Sequence, residues 1–143
     1  MNIINKSLSP RYIREGITSY LLVSESTTNA KNITTTLVEM SPGGKQNIHQ
    51  HVTEQSYFII NGEGEMTVGN EKRTVQAGAA VFIPSNSPHG LINTGKEILT
   101  YLSAGSPPFG KDREKQLWPL AAENPYENMA KGGELLSKQF KKQ

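Results

Sequence analysis

The sequence predicts an all-β domain, preceded by a strand-bearing extension and followed by a partly helical tail. Three observations carry this reading. Runs of β-branched and aromatic residues recur between positions 33 and 105 at spacings of about 8–12 residues, which suits a sandwich or small barrel. Most runs stop at Gly, Pro or Asn turn signals. Beyond Ser106-Pro107-Pro108 the apolar spacing changes to a helical one.

Taken in order, residues 17–23 form a strand ahead of the core. Residues 33–40 are rich in Thr, Ile and Val and stop at Ser41-Pro42-Gly43-Gly44. Residues 56–60 follow and close at Asn61-Gly62, a hairpin signal because both residues tolerate positive φ. Residues 65–68 alternate polar and apolar before Gly69-Asn70, and residues 72–76 run to Ala77-Gly78. Residues 79–83 are a short buried strand stopped by Pro84, with Phe82 in the core or pocket wall beside Met40. Residues 90–93 and 97–103 complete the series. In the tail, residues 113–122 form a short helix interrupted by Pro119. Residues 128–143 form an amphipathic helix carrying Met129, Leu135, Leu136 and Phe140, weakened by Gly132-Gly133.

Composition narrows the functional classes. A chain of 143 residues suits one domain. With no cysteine, disulfides, thiolate metal sites, iron–sulfur clusters and cysteine nucleophiles are excluded. The N-terminus has no apolar signal-peptide core, and no apolar run approaches the ~18–20 residues that span a bilayer, so a cytoplasmic protein without membrane contact is expected. Residues 1–32 carry four basic and two acidic groups, residues 33–105 four and six, and residues 106–143 seven and five. The presumed core is thus the acidic section, which argues against a nucleic-acid partner.

The three histidines are the informative residues. His49 and His51 flank Gln50, and His89 follows Pro88. Positions i and i+2 of a strand share a face, so His49 and His51 can present paired imidazoles. A closed sheet can bring His89 opposite them, giving three nitrogens suited to a first-row metal. The spacing around them is Gly43, five residues, His49-Gln50-His51, three residues, Gln55, six residues, Gly62. A second run reads Gly78, five residues, Pro84, Ser85, Asn86, two residues, His89, three residues, Asn93.

These two runs resemble the two motifs of the cupin family, with Gln55 where the family has Glu and Asn86 where it has Gly. The resemblance implies a double-stranded β-helix, the jelly-roll cupin barrel, over 33–105. Residues 1–32 are then an N-terminal extension and 106–143 a C-terminal tail. It also implies one divalent transition-metal ion (Mn, Fe, Zn, Ni or Co) on His49, His51, Gln55 and His89, and a homodimer. Strand parity from His51 places Gln55 inside and Glu54 outside, unless a bulge intervenes. A Gln ligand binds through its neutral amide oxygen and leaves the ion its full charge, favouring anionic ligands. The competing role for Gln55 is to orient a histidine without ligating. Tyr57 shares the inward parity and is the candidate proton donor, with barrel packing as the stronger competing role.

Two functions from different classes follow. The first is a metal-dependent enzyme (lyase, isomerase, decarboxylase or dioxygenase) acting on a small carboxylate, keto acid or sugar derivative by chelation and charge stabilisation. The alternative is a non-catalytic module that binds or senses a small ligand. Fold does not choose between them. The apolar pieces Tyr20-Leu21-Leu22, Leu117-Trp118 and Leu135-Leu136 need cover, and an N-terminal strand added to a partner's sheet would supply it.

Overall fold

The computed structural model describes residues 1–118. Among them, ten strands form two antiparallel sheets. The strands are β1 (Arg11–Arg14), β2 (Ile17–Leu21), β3 (Thr34–Met40), β4 (Lys45–His49), β5 (Glu54–Asn61), β6 (Glu63–Val68), β7 (Glu71–Gln76), β8 (Ala80–Ile83), β9 (His89–Asn93) and β10 (Leu99–Ser106). One sheet has the order β1-β2-β3-β10-β5-β8, the other β4-β9-β6-β7. From β3 onward the chain crosses between sheets at almost every turn, which makes the double-stranded β-helix. No helix among the described residues is long and apolar enough to cross a membrane.

Alternation builds the core. In β3, Thr34, Thr36, Val38 and Met40 are buried and the residues between them are not. In β5, Gln55, Tyr57 and Ile59 point in while Glu54, Ser56 and Phe58 point out. Tyr101 of β10 pairs with Val38 on one side and Ile59 on the other. Met66 and Leu91 close the core from the second sheet. Each such aliphatic side chain, once buried, contributes about 1.5–3 kcal/mol.

The strand expected at 17–23 is present as β2, and it pairs with β3 of its own chain. Other expectations are corrected. Asn61-Gly62 does not make a hairpin, because β5 and β6 belong to different sheets. Glycine is required there for another reason: a Cβ on Gly62 would sit 2.8 Å from the Ile98 carbonyl oxygen. Gly69-Asn70 does join a paired hairpin, β6 with β7. Phe82 is 61% exposed rather than in the core, because β8 turns that side outward while Ile83 points in. Asn86 holds φ 61°, the left-handed conformation that glycine would otherwise supply.

The ends of the described chain pack on each other. Helix α1 (Glu25–Thr28) follows β2, and helix α2 (Lys111–Leu117) follows β10. Helix α2 begins two residues before the expected helix and ends at Leu117, with Trp118, the residue before Pro119, as its non-helical C-cap. Residues 119–122 of the expected helix lie outside the described residues. Leu21 and Trp118 form a second small core, covered by Tyr12, Phe109 and Leu117. The Trp118 Nε1–H donates to Ser19 Oγ at 3.3 Å. Two carboxylates cross-link the helices. Glu25 accepts from the Lys111 N–H at 3.0 Å, and Glu114 accepts from the Ser26 N–H at 3.3 Å. Much of the apolar surface that suggested a partner is therefore covered within the chain. The helix expected at 128–143 lies outside the described residues.

Candidate metal centre

His49 is the last residue of β4 and His89 the first of β9, and the two are register partners. His51 lies beyond β4, so the continuous strand expected through both histidines is not the device that aligns them. The β4–β9 register breaks between Gln46 and His49. Instead, the loop is held by the Asn86 N–H, which donates to the His51 carbonyl at 2.7 Å. The Asn86 turn of one motif thus fixes the backbone of the other.

The three rings converge. Their centroids are 5.4 Å apart for His49–His51, 4.2 Å for His49–His89 and 4.8 Å for His51–His89. One ring nitrogen of each lies within 4.8 Å of the others. Each Nδ1 sits against a backbone carbonyl: Asn47 for His49 at 2.8 Å, Thr53 for His51 at 2.7 Å and Ser87 for His89 at 2.8 Å. A carbonyl only accepts, so each Nδ1 carries the hydrogen and each Nε2 keeps its lone pair. Burial lowers the His49 pKa, with His51, Arg14 and Arg113 adding repulsion. Burial likewise lowers His89 to about 4, helped by His49 and His51. These two rings are held neutral, the form that binds a metal.

Gln55 is buried and inward-facing, and Glu54 is exposed, as strand parity requires. The Gln55 Nε2 donates to Ser103 Oγ at 3.1 Å. Its Oε1 is buried with no partner, and so is the His89 Nε2. A buried acceptor left unpaired costs about 1–3 kcal/mol. Two such lone pairs, with two further imidazoles beside His89, fit a divalent first-row ion.

The rings of His49 and His51 open onto a pocket of about 340 Å³. Tyr57 and Tyr101 line its floor, stacked at 4.4 Å, and Tyr101 donates to Gln46 Oε1 at 2.7 Å. Burial pushes the Tyr57 hydroxyl up to about 12, so it stays protonated and can donate but not act as a base at neutral pH. The outer wall is Tyr12, Phe109, Leu117 and Trp118, with Arg14 and Arg113 beside them. None of the described lining residues is an Asp or Glu. Sequence reasoning named Leu117-Trp118 only as an apolar piece in need of cover and passed over Tyr12 and Phe109, because these residues lie in the extensions, far from either motif.

A double-stranded β-helix with three histidines converging inside it defines a class of small-molecule barrels. This chain belongs to that class as a cupin: residues 36–105 match the family model described as the Cupin domain. An uncharacterized protein of Methanocaldococcus jannaschii is 38% identical over 49% of this chain and 57% of its own length. The oxalate-binding protein of Thermotoga maritima is 30% identical over 46% of this chain and 55% of its own. The chain therefore spans about half the length of these curated relatives. Among solved structures, the polyketide cyclase RemF from Streptomyces resistomycificus superposes with a TM-score of 0.65 at 21% identity. That match covers 87% of this chain and 98% of RemF, and it bears on the fold alone.

Proposed function

We propose that the protein is a metal-dependent enzyme acting on a small anionic molecule, a carboxylate, keto acid or sugar derivative. The observation that carries this reading is the pair of buried, unpartnered lone pairs on His89 Nε2 and Gln55 Oε1 within the histidine cluster. His49, His51, His89 and Gln55 would hold one divalent ion, and that ion, when bound, supplies Lewis acidity toward a carboxylate or enolate oxygen. The chain's own residues do the rest. All four donors are uncharged as ligands, so the site favours an anion. Tyr57 offers a fixed hydrogen-bond donor, and the aromatic outer wall limits water. The oxalate-binding relative supports a small carboxylate as the ligand class.

One observation favours the non-catalytic alternative: among the described residues the pocket holds no carboxylate, and Tyr57 is no base. Among the described residues none lining the pocket supplies a carboxylate general base. A homodimer would use β1, one of the two edge strands of its sheet, where Ile13 is exposed.

The test is metal analysis by plasma mass spectrometry on untagged protein. Wild type should retain about one ion per chain, His49→Ala/His51→Ala about none, and Gln55→Glu should hold its ion more tightly against a chelator. Wild type that stays empty after reconstitution would sink the metal reading. A metal-loaded protein that binds small carboxylates without turnover would leave the binding module.

A further inference from the structure

We propose that Arg14 and Arg113 receive a second anionic group, so that the ligand is a small dianion, such as a dicarboxylate, spanning from the histidine cluster to the outer wall. This rests on the reading of the pocket as a small-anion site and goes on to name its specificity residues.

The chain has four arginines. Arg73 is paired with Glu71 at 2.7 Å on the surface, and Arg11 donates to the Ser7 carbonyl at 2.7 Å. The other two line the same pocket from opposite ends of the described chain, Arg14 from β1 and Arg113 from α2. Neither takes part in the ion pairs found among the described residues. No carboxylate among those residues lines the pocket to neutralise them. Arg113 gives one N–H to Gln116 Oε1 at 3.2 Å, and the Arg14 guanidinium lies 5.7 Å from the centre of the Tyr12 ring. A guanidinium has five donors in a planar fork, so both keep donors for a carboxylate or phosphate.

The barrel carries a net −2 over residues 33–105, from four basic and six acidic groups, yet the described wall of its pocket carries only positive charge. Both guanidiniums are exposed at the pocket's outer end, so they reach solvent and raise the local concentration of an anion entering there. The backbone that carries Arg113 is held by a few point contacts. Helix α2 is tied to α1 through Glu25–Lys111 and Glu114–Ser26, and Trp118 at its end is tied to Ser19. Tyr12, Phe109, Leu117 and Trp118 line the stretch of wall beside the arginines. Apolar walls suit a carbon spacer between two charged ends.

Trp118 is the sole tryptophan of the chain and lines this pocket, so its emission reports occupancy without turnover. The experiment titrates wild type, Arg14→Gln, Arg113→Gln, the double variant and Arg14→Lys with succinate, glutarate and adipate, each against butyrate. Titrations are run on metal-loaded and on chelator-treated protein. Wild type should bind at least one dicarboxylate about tenfold more tightly than butyrate. Each Gln variant should lose most of that preference while butyrate binding changes about twofold or less, and Arg14→Lys should keep part of it. Added salt should weaken dicarboxylate binding more than butyrate binding. Dicarboxylates that bind no better than butyrate, or a double variant that binds them as wild type does, would overturn the proposal. Failure of the metal reading shows separately, as titrations that chelation and His49→Ala/His51→Ala leave unchanged.

Discussion

In the barrel, alternate residues of long paired strands turn inward, and burial is shared among ten side chains from both sheets. In the annex made by the two chain ends, burial rests on Leu21 and Trp118 with three partly covered neighbours, and position rests on a few point contacts. The two regions divide the pocket between them. The barrel supplies the neutral donors, fixed by carbonyls behind each imidazole. The annex supplies the aromatic wall and the two guanidiniums. A rigid region thus sets what chemistry the pocket can hold, and a lightly anchored one sets which molecule reaches it.

The largest expected effect tests the barrel. Ile59 is fully buried between β10 and β8, so Ile59→Ala should cost about 2–5 kcal/mol through the cavity it leaves. Urea unfolding followed by far-UV circular dichroism and by Trp118 emission should shift together, because the annex cannot persist without its barrel. The annex is tested by Glu114→Ala, which removes the buried Glu114 side chain and its hydrogen bond from the Ser26 N–H and should cost about 1–3 kcal/mol. Here the Trp118 transition should move to lower urea while the circular dichroism transition stays. Equal shifts in both probes would mean that the two regions form one cooperative unit, and the division drawn above would fail.

The same division explains how much was legible in the sequence. Strands from 34 to 106 could be read because a half-buried strand writes a period of two, as β3 and β5 show. The histidines could be read because their spacing is local and the type is rare. The alignment of His51 could not, since it depends on the Asn86 N–H some 35 positions away. Asn61-Gly62 misled because the left-handed backbone it signals serves a sheet-to-sheet crossing as well as a hairpin. Phe82 misled because type suggests burial, while its strand turns only Ile83 fully inward. The annex was legible in part: β2 and a helix near 113 could be read, but α1, with four residues, is too short to write a helical period, and Arg14 and Arg113 come to one pocket only through tertiary packing.

Acid should separate the regions again, more gently. His89 is held at about 4 against an ordinary 6.5, and His49 is also lowered. Between those values the unfolded chain takes up protons that the folded barrel refuses. Stability is therefore complete above pH 6.5, falls as the pH drops from 6.5 toward 4, and levels off below. The circular dichroism midpoint in urea should follow that curve in metal-free protein. A midpoint that rises through this window on acidification would contradict the buried, neutral rings.

The smallest expected effect concerns the residue that joins the two motifs. Asn86 occupies the left-handed region with φ 61°, and its N–H holds the His51 carbonyl. Asn86→Ala keeps that N–H but puts a less tolerant side chain at positive φ, so it should cost about 1 kcal/mol. Asn86→Gly relieves the same strain while loosening the unfolded chain, and the two effects should nearly cancel. If the turn only joins strands, metal retention should be the same in both variants. If it positions His51, Asn86→Ala should release its ion to a chelator faster than Asn86→Gly does, although neither touches a ligand. A difference in release would place the control of the centre in the backbone of the barrel, and equal release would leave it with the side chains alone.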